Sequence, residues 1–118
     1  MTNKTELVIC TSDSALLEAL FQSAHPNKGQ LCHADEAGLE IEFLDRSTTP
    51  GINQSEILIN IALSIVAGLP TSLMAAWIYE KLSNNGKNAL VVKETREIVV
   101  TQKDIEVKIV ETIERIER

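Results

Sequence analysis

Hydrophobic and polar positions change period several times along this chain, and each change marks a boundary between elements. ELVIC, from Glu6 to Cys10, reads as a short buried strand. Ser12 or Asp13 stands where a helix N-cap belongs, and Leu16, Leu17, Leu20 and Phe21 recur at helical spacing. That pattern predicts a helix stopping near Ala24, ahead of Pro26 and Gly29. In LEIEFLD, Leu39, Ile41 and Phe43 alternate with Glu40 and Glu42, as in a strand with one face buried. The residues around Pro26, Asn27, Lys28 and Gly29, and RSTTPGINQ at 46–54, read as loops.

From Ile57 to Tyr79 the chain reads ILINIALSIVAGLPTSLMAAWIY, with no charged side chain. As one helix it would reach roughly 34 Å, enough to cross a bilayer. Gly68-Leu69-Pro70-Thr71 would kink it, or end one helix and begin another. Glu56 on one side and Glu80-Lys81 on the other give none of the Lys/Arg asymmetry that orients a span. A span would also divide the predicted strands between two compartments, leaving neither remnant enough to fold. The expectation is therefore a long central helix, kinked at Gly68-Pro70, laid across a shared sheet. A small inner-membrane protein anchored by residues 57–79 is the alternative. On the helical reading Asn60, Ser64, Gly68 and Thr71 form one narrow stripe that permits close helix approach.

Beyond this segment, Asn84-Asn85-Gly86 stops the helix, and ALVVKE and EIVVT form two β-branched runs close enough to pair antiparallel. The period then returns to that of a helix: Ile105, Ile109, Ile113 and Ile116 line one face, Thr101 caps it, and Asp104 follows three residues on. The outer face, with Glu106, Lys108, Glu111, Glu114 and Arg115, is a solvated surface. The fold class expected is α+β in a single domain, residues 1–118, with a mixed or antiparallel sheet of about four strands.

Composition narrows the functional classes. The 118 residues are 44% hydrophobic but only 3% aromatic, so the core is aliphatic and base stacking is disfavoured. The formal charge of −6 disfavours nucleic acid, whose phosphates call for a basic surface. Residues 87–118 are charge-balanced, which leaves the acidic excess in residues 1–86. The first residues carry no secretory pattern, so a cytoplasmic location with reduced thiols at Cys10 and Cys32 is expected.

Candidate chemistry is sparse. His25, Cys32 and His33 lie close in sequence, yet no CxxC or HxxxH spacing supplies ligands to one face, so no metal is expected. Glu40 and Glu42 share a strand face, where solvated charge is the ordinary outcome. No nucleophile elbow or phosphate-cradling glycine loop occurs, and neither catalytic residues nor a cofactor are expected. A small enzyme without a recognisable motif stays in reserve.

IALSIVAGLPTSLMAAWIYEKL (61–82), ALVVKETREIVVT (89–101) and the helix from Lys103, in that order, resemble the effector-associated constant component family. That resemblance implies a small non-enzymatic adaptor encoded with bacterial conflict and signalling effectors, bound to another, larger protein. An inhibitor of such an effector is the neighbouring expectation. A homodimer is also expected, through Ser64, Gly68 and Thr71 or through the isoleucine face at Ile109, Ile113 and Ile116.

Overall fold

A computed structural model describes residues 4–11, 14–50, 55–84, 89–92, 97–99 and 101–117. The elements are β1 (Lys4–Thr11), α1 (Ala15–Phe21), β2 (Leu31–Ala34), a 3-10 turn at Asp35–Ala37, β3 (Leu39–Pro50), β4 (Ser55–Ile65), α2 (Thr71–Asn84), β5 (Ala89–Val92), β6 (Glu97–Val99) and α3 (Gln102–Glu117). The strands form one sheet in the order β2-β3-β4-β1-β5-β6, and every neighbouring pair is antiparallel. The fold is α+β, as the sequence predicts.

Alternation along the strands decides what each face touches. Leu7 and Ile9 of β1, Leu39, Ile41 and Phe43 of β3, Ile59, Ile61 and Leu63 of β4, and Leu90 of β5 point to one side and are buried. Onto that side pack Leu16, Leu17, Leu20 and Phe21 of α1, Met74, Ile78 and Leu82 of α2, and Ile105, Ile109, Ile113 and Ile116 of α3. The core is aliphatic, with Phe21 edge-on to Phe43 at 5.8 Å between ring centroids.

The termini of the elements follow from local chemistry. Gln22 adopts the left-handed conformation and its N–H reaches the Glu18 carbonyl, closing α1 at Phe21, three residues before the Ala24 expected. Gln30 Nε2 donates to the Phe21 carbonyl, one of the acceptors a helix end leaves unpaired. The proposed cap at Ser12 or Asp13 lies outside the described residues. At α3, Thr101 Oγ1 accepts the Asp104 N–H at 3.4 Å and donates to the Asp104 carboxylate at 2.5 Å, so the predicted cap is in place. Gly38 has φ +65°, and a Cβ there would stand 2.9 Å from the Ala67 carbonyl oxygen. Both constraints demand glycine.

Three expectations are corrected. The sheet has six strands rather than about four. Of the loop expected at 46–54, residues 46–50 continue β3 and 51–54 lie outside the described residues, while residues 31–34 form β2. A bulge at Leu44 shifts the β3 register, so that Arg46 pairs with Ile59 on the helix side. Its Nη1 donates to the Ala24 carbonyl at 2.6 Å and contacts His25 Nδ1 at 3.0 Å, tying down the loop after α1.

The largest correction concerns Ile57–Tyr79. Its first part is the central strand β4, flanked by β3 and β1, and only Thr71–Asn84 is helical. Gly68 and Pro70 separate strand from helix rather than kinking one helix. No helix among the described residues is long and apolar enough to cross a membrane, so residues 57–79 form no helical anchor.

Candidate functional site

All three helices pack on one side of the sheet, and no described element covers the other. Register sets out this bare face in rows. One row runs His33, Glu40, Ser64, Lys4 and the next Leu31, Glu42, Ala62, Glu6. Past the bulge come Asp45, Asn60, Val8, Val91, and then Ser47, Leu58, Cys10, Ala89. The face therefore divides into a charged end and an apolar end.

The charged end partly satisfies itself. Lys4 Nζ on β1 reaches over β4 to Glu42 Oε1 on β3 at 3.2 Å, and His33 Nδ1 lies 3.3 Å from Glu40 Oε2. These long side chains roof the small residues of β4, which is why Ala62 and Ser64 are only 4% exposed although no helix lies above them. At the apolar end Val8, Cys10, Leu58 and Val91 stay half-buried, with Asn60 among them. Among the described residues carboxylates outnumber cations on the face: Glu6, Glu40, Glu42 and Asp45 against Lys4. The bare face thus carries an acidic end beside a half-buried apolar end.

A second cluster lies on the helix side of the sheet edge. Trp77 Nε1 donates to Glu36 Oε1 at 2.8 Å, and Lys81 Nζ stands 5.3 Å from the indole centroid. A backbone hydrogen bond, and then the indole N–H, hold the Glu36 carboxyl below its ordinary pKa. Burial foremost, and then the Glu36 charge, push the Cys32 thiol up, with Lys81 opposing. Cys32 is therefore a protonated thiol at neutral pH.

His25, Cys32 and His33, close in sequence, are held apart in the fold. Cys32 faces the helices, His33 faces away on the bare side, and His25 sits in the loop against Arg46. Among the described residues no three His, Cys, Asp or Glu side chains converge on one point.

The interaction residues inferred from helical spacing are likewise dispersed. Ser64 lies on β4 under the charged end, Gly68 in the exposed connection, and Thr71 at the start of α2. Ile109, Ile113 and Ile116 are 1%, 0% and 5% exposed and belong to the core, so they present no surface to a partner. Val8 and Val91 are not marked out by sequence because ELVIC and ALVV read as uniformly apolar runs, and Leu58 is not because Ile57–Tyr79 reads as one helix. The pairing register, absent from any single run, is what assigns their faces.

Comparison with known proteins returns no match to any family model, characterised protein or solved structure.

Proposed function

We propose that this chain is a non-enzymatic protein-interaction module of the cytoplasm, an adaptor or inhibitor of a larger effector. The bare sheet face is the observation that carries this reading. A six-stranded sheet that spends its helices on one side leaves apolar surface at Val8, Leu58 and Val91 beside an acidic rim. Charge complementarity then specifies the partner: a protein surface with an apolar ridge flanked by Lys or Arg. Residues 61–82 form β4 and α2 rather than the one long helix of the pattern that resembles effector-associated constant components, so the resemblance favours an effector of a bacterial conflict or signalling system through residues 89–101 and the helix from Lys103 alone.

The test is a photo-crosslinking amino acid placed at Val8 on the bare face and, as control, at Val107 on the exposed side of α3. Irradiation in the native host should join position 8, and not position 107, to one larger protein. The adduct should be lost in a Val91→Glu background and weaken with salt, because the rim contributes charge. Equal labelling from both positions, or an adduct indifferent to Val91→Glu, rejects the assignment of this face.

A further inference from the structure

Among the described residues β2 ends the sheet, with β3 as its neighbour. The Gln30 carbonyl accepts the Phe43 N–H at 2.9 Å, so it points toward β3. Alternate residues of a strand send their backbone groups to opposite edges, and the N–H and C=O of Leu31 and His33 therefore point outward. Native sheets blunt such an edge with a very short strand, a charged side chain, Pro or a bulge. Leu-Cys-His-Ala is four residues long and follows a bulge in which Gly29 and Gln30 both bond Phe43, but it carries no Lys or Pro, and Leu31 is 41% exposed. The opposite edge, β6, is only three residues long and begins with Glu97.

We infer that β2 pairs antiparallel with β2 of a second copy of this chain, about a two-fold axis at Cys32, to make one continuous sheet. The register follows from the backbone. Leu31 and His33 face outward, so each Leu31 exchanges hydrogen bonds with His33 of the other copy, and the two Cys32 residues stand opposite each other between those pairs. Centring the axis on Cys32 keeps both bonded pairs within Leu31–Ala34. Centring it on His33 would oppose Leu31 to Asp35, which lies in the 3-10 turn.

Side chains agree with this register. On the bare side each Leu31 meets His33 of the other copy, with no like charges opposed. On the helix side Cys32 meets Cys32 of the other copy, an uncharged pair. An isologous contact of this kind closes at two copies and leaves no open edge to propagate. It also leaves the apolar end of the bare face, toward β1 and β5, free for the partner proposed above.

His33→Pro tests the pairing directly. Proline removes an N–H that β3 does not use, so the β2–β3 ladder survives while half of the bonds across the seam are lost. By sedimentation the wild-type chain should be a dimer at about 100 µM, and His33→Pro should raise the dimer Kd about tenfold or more with an unchanged circular dichroism spectrum. Leu31→Lys, which keeps every N–H but adds a charge to the edge, should act in the same direction if the proline variant unfolds.

Diamide, which accepts the two electrons released as two thiols join, supplies the second readout. Cys10→Ser should still form a covalent dimer through Cys32, because residues opposed in this way have Cα atoms about 4.5 Å apart, within disulfide range. Cys32→Ser should not. A monomeric wild type, a folded His33→Pro that dimerises normally, or crosslinking through Cys10 alone would each overturn the edge pairing. A monomer that still joins its partner through position 8 would overturn this inference and leave the proposed function standing.

Discussion

Replacing Ile59, Ile61 and Leu63 one at a time with Ala tests the strand structure of β4, whose sequence by itself reads as part of a helix. These residues are 0%, 3% and 1% exposed, and Leu63 is bracketed by Ile41 on β3 and Thr5 on β1, themselves buried. Leu→Ala removes three carbons, worth about 2.4 kcal/mol of transfer free energy at about 0.8 kcal/mol per methylene. A residual cavity of roughly 40 Å³ adds about 1 kcal/mol at about 24 cal/mol per Å³. The expected loss is thus about 3 kcal/mol at each site, out of a total stability of about 5–15 kcal/mol for a domain. Leu58→Ala is the matched control, the same chemistry on the half-buried bare face of the same strand, and should cost about 1 kcal/mol or less. Urea unfolding followed by circular dichroism reads the difference: with m about 1.5 kcal/mol/M, the core variants should lose about 2 M in midpoint. In a helix, residues 59 and 61 would lie about 200° apart and could not both face the core. Finding Ile59 and Ile61 unequal by 2 kcal/mol or more, or Leu58 as costly as Leu63, would refute the alternation on which the bare face depends.

Gly38→Ala should lower stability by about 2 kcal/mol, because a Cβ in the left-handed conformation meets the Ala67 carbonyl; Gly68→Ala, with nothing within 4 Å of its added carbon, should change the urea midpoint by less than about 0.5 kcal/mol equivalent. Thr101→Ala should cost about 1 kcal/mol and fray the first turn of α3, measurable as faster amide exchange at Asp104 and Ile105, whereas Thr101→Ser should retain the cap. Trp77 is the sole tryptophan, so its fluorescence reports the hydrogen bond to Glu36. Since the folded-state pKa of Glu36 is lowered, the bond's contribution is complete above the unfolded carboxyl pKa and is lost as pH falls through the lowered folded value. The emission should therefore shift below the usual glutamate range in wild type and show no such step in Glu36→Gln; an identical step in both would assign it to another group.

How much of this was legible in the sequence depends on whether local pattern or long-range pairing decided the outcome. Thr101, Asp104 and the isoleucine spacing specify α3 within a few residues, because a cap and a 3.6-residue period are local signals. LEIEFLD specifies the first half of β3 for the same reason: Glu40 and Glu42 mark the face opposite Leu39, Ile41 and Phe43. The segment from Ile57 misled because β4 is paired on both sides, and its second face carries Leu58 and Ala62 as well as Asn60 and Ser64. A central strand of that composition lacks strict alternation, and its apolar run passes without a charge through Val66–Pro70 into α2. The merged run has the length of a membrane-crossing helix, although neither β4 nor α2 does. Its odd positions, Ile57, Ile59, Ile61, Leu63 and Ile65, are nonetheless all large and aliphatic, a period of two that was available to be counted.

That misassignment also hid the candidate surface. With residues 57–65 in a helix, the unpartnered apolar area falls on a small-residue stripe at Ser64, Gly68 and Thr71, and the sheet has no obvious second face to expose. With the same residues as the central strand, the sheet widens to six strands and the helices α1, α2 and α3 are spent on one side of it. Val8, Leu58 and Val91 then become neighbours across three strands, though they are distant in sequence and individually unremarkable. The Lys4–Glu42 bridge follows from the same pairing, since only with β4 between β1 and β3 can a lysine near one end of the chain roof Ala62 and Ser64. The character of the bare face is thus set by topology: each residue type comes from local sequence, but the juxtaposition of an apolar end, an acidic end and the β2 edge arises only once the order β2-β3-β4-β1-β5-β6 is fixed.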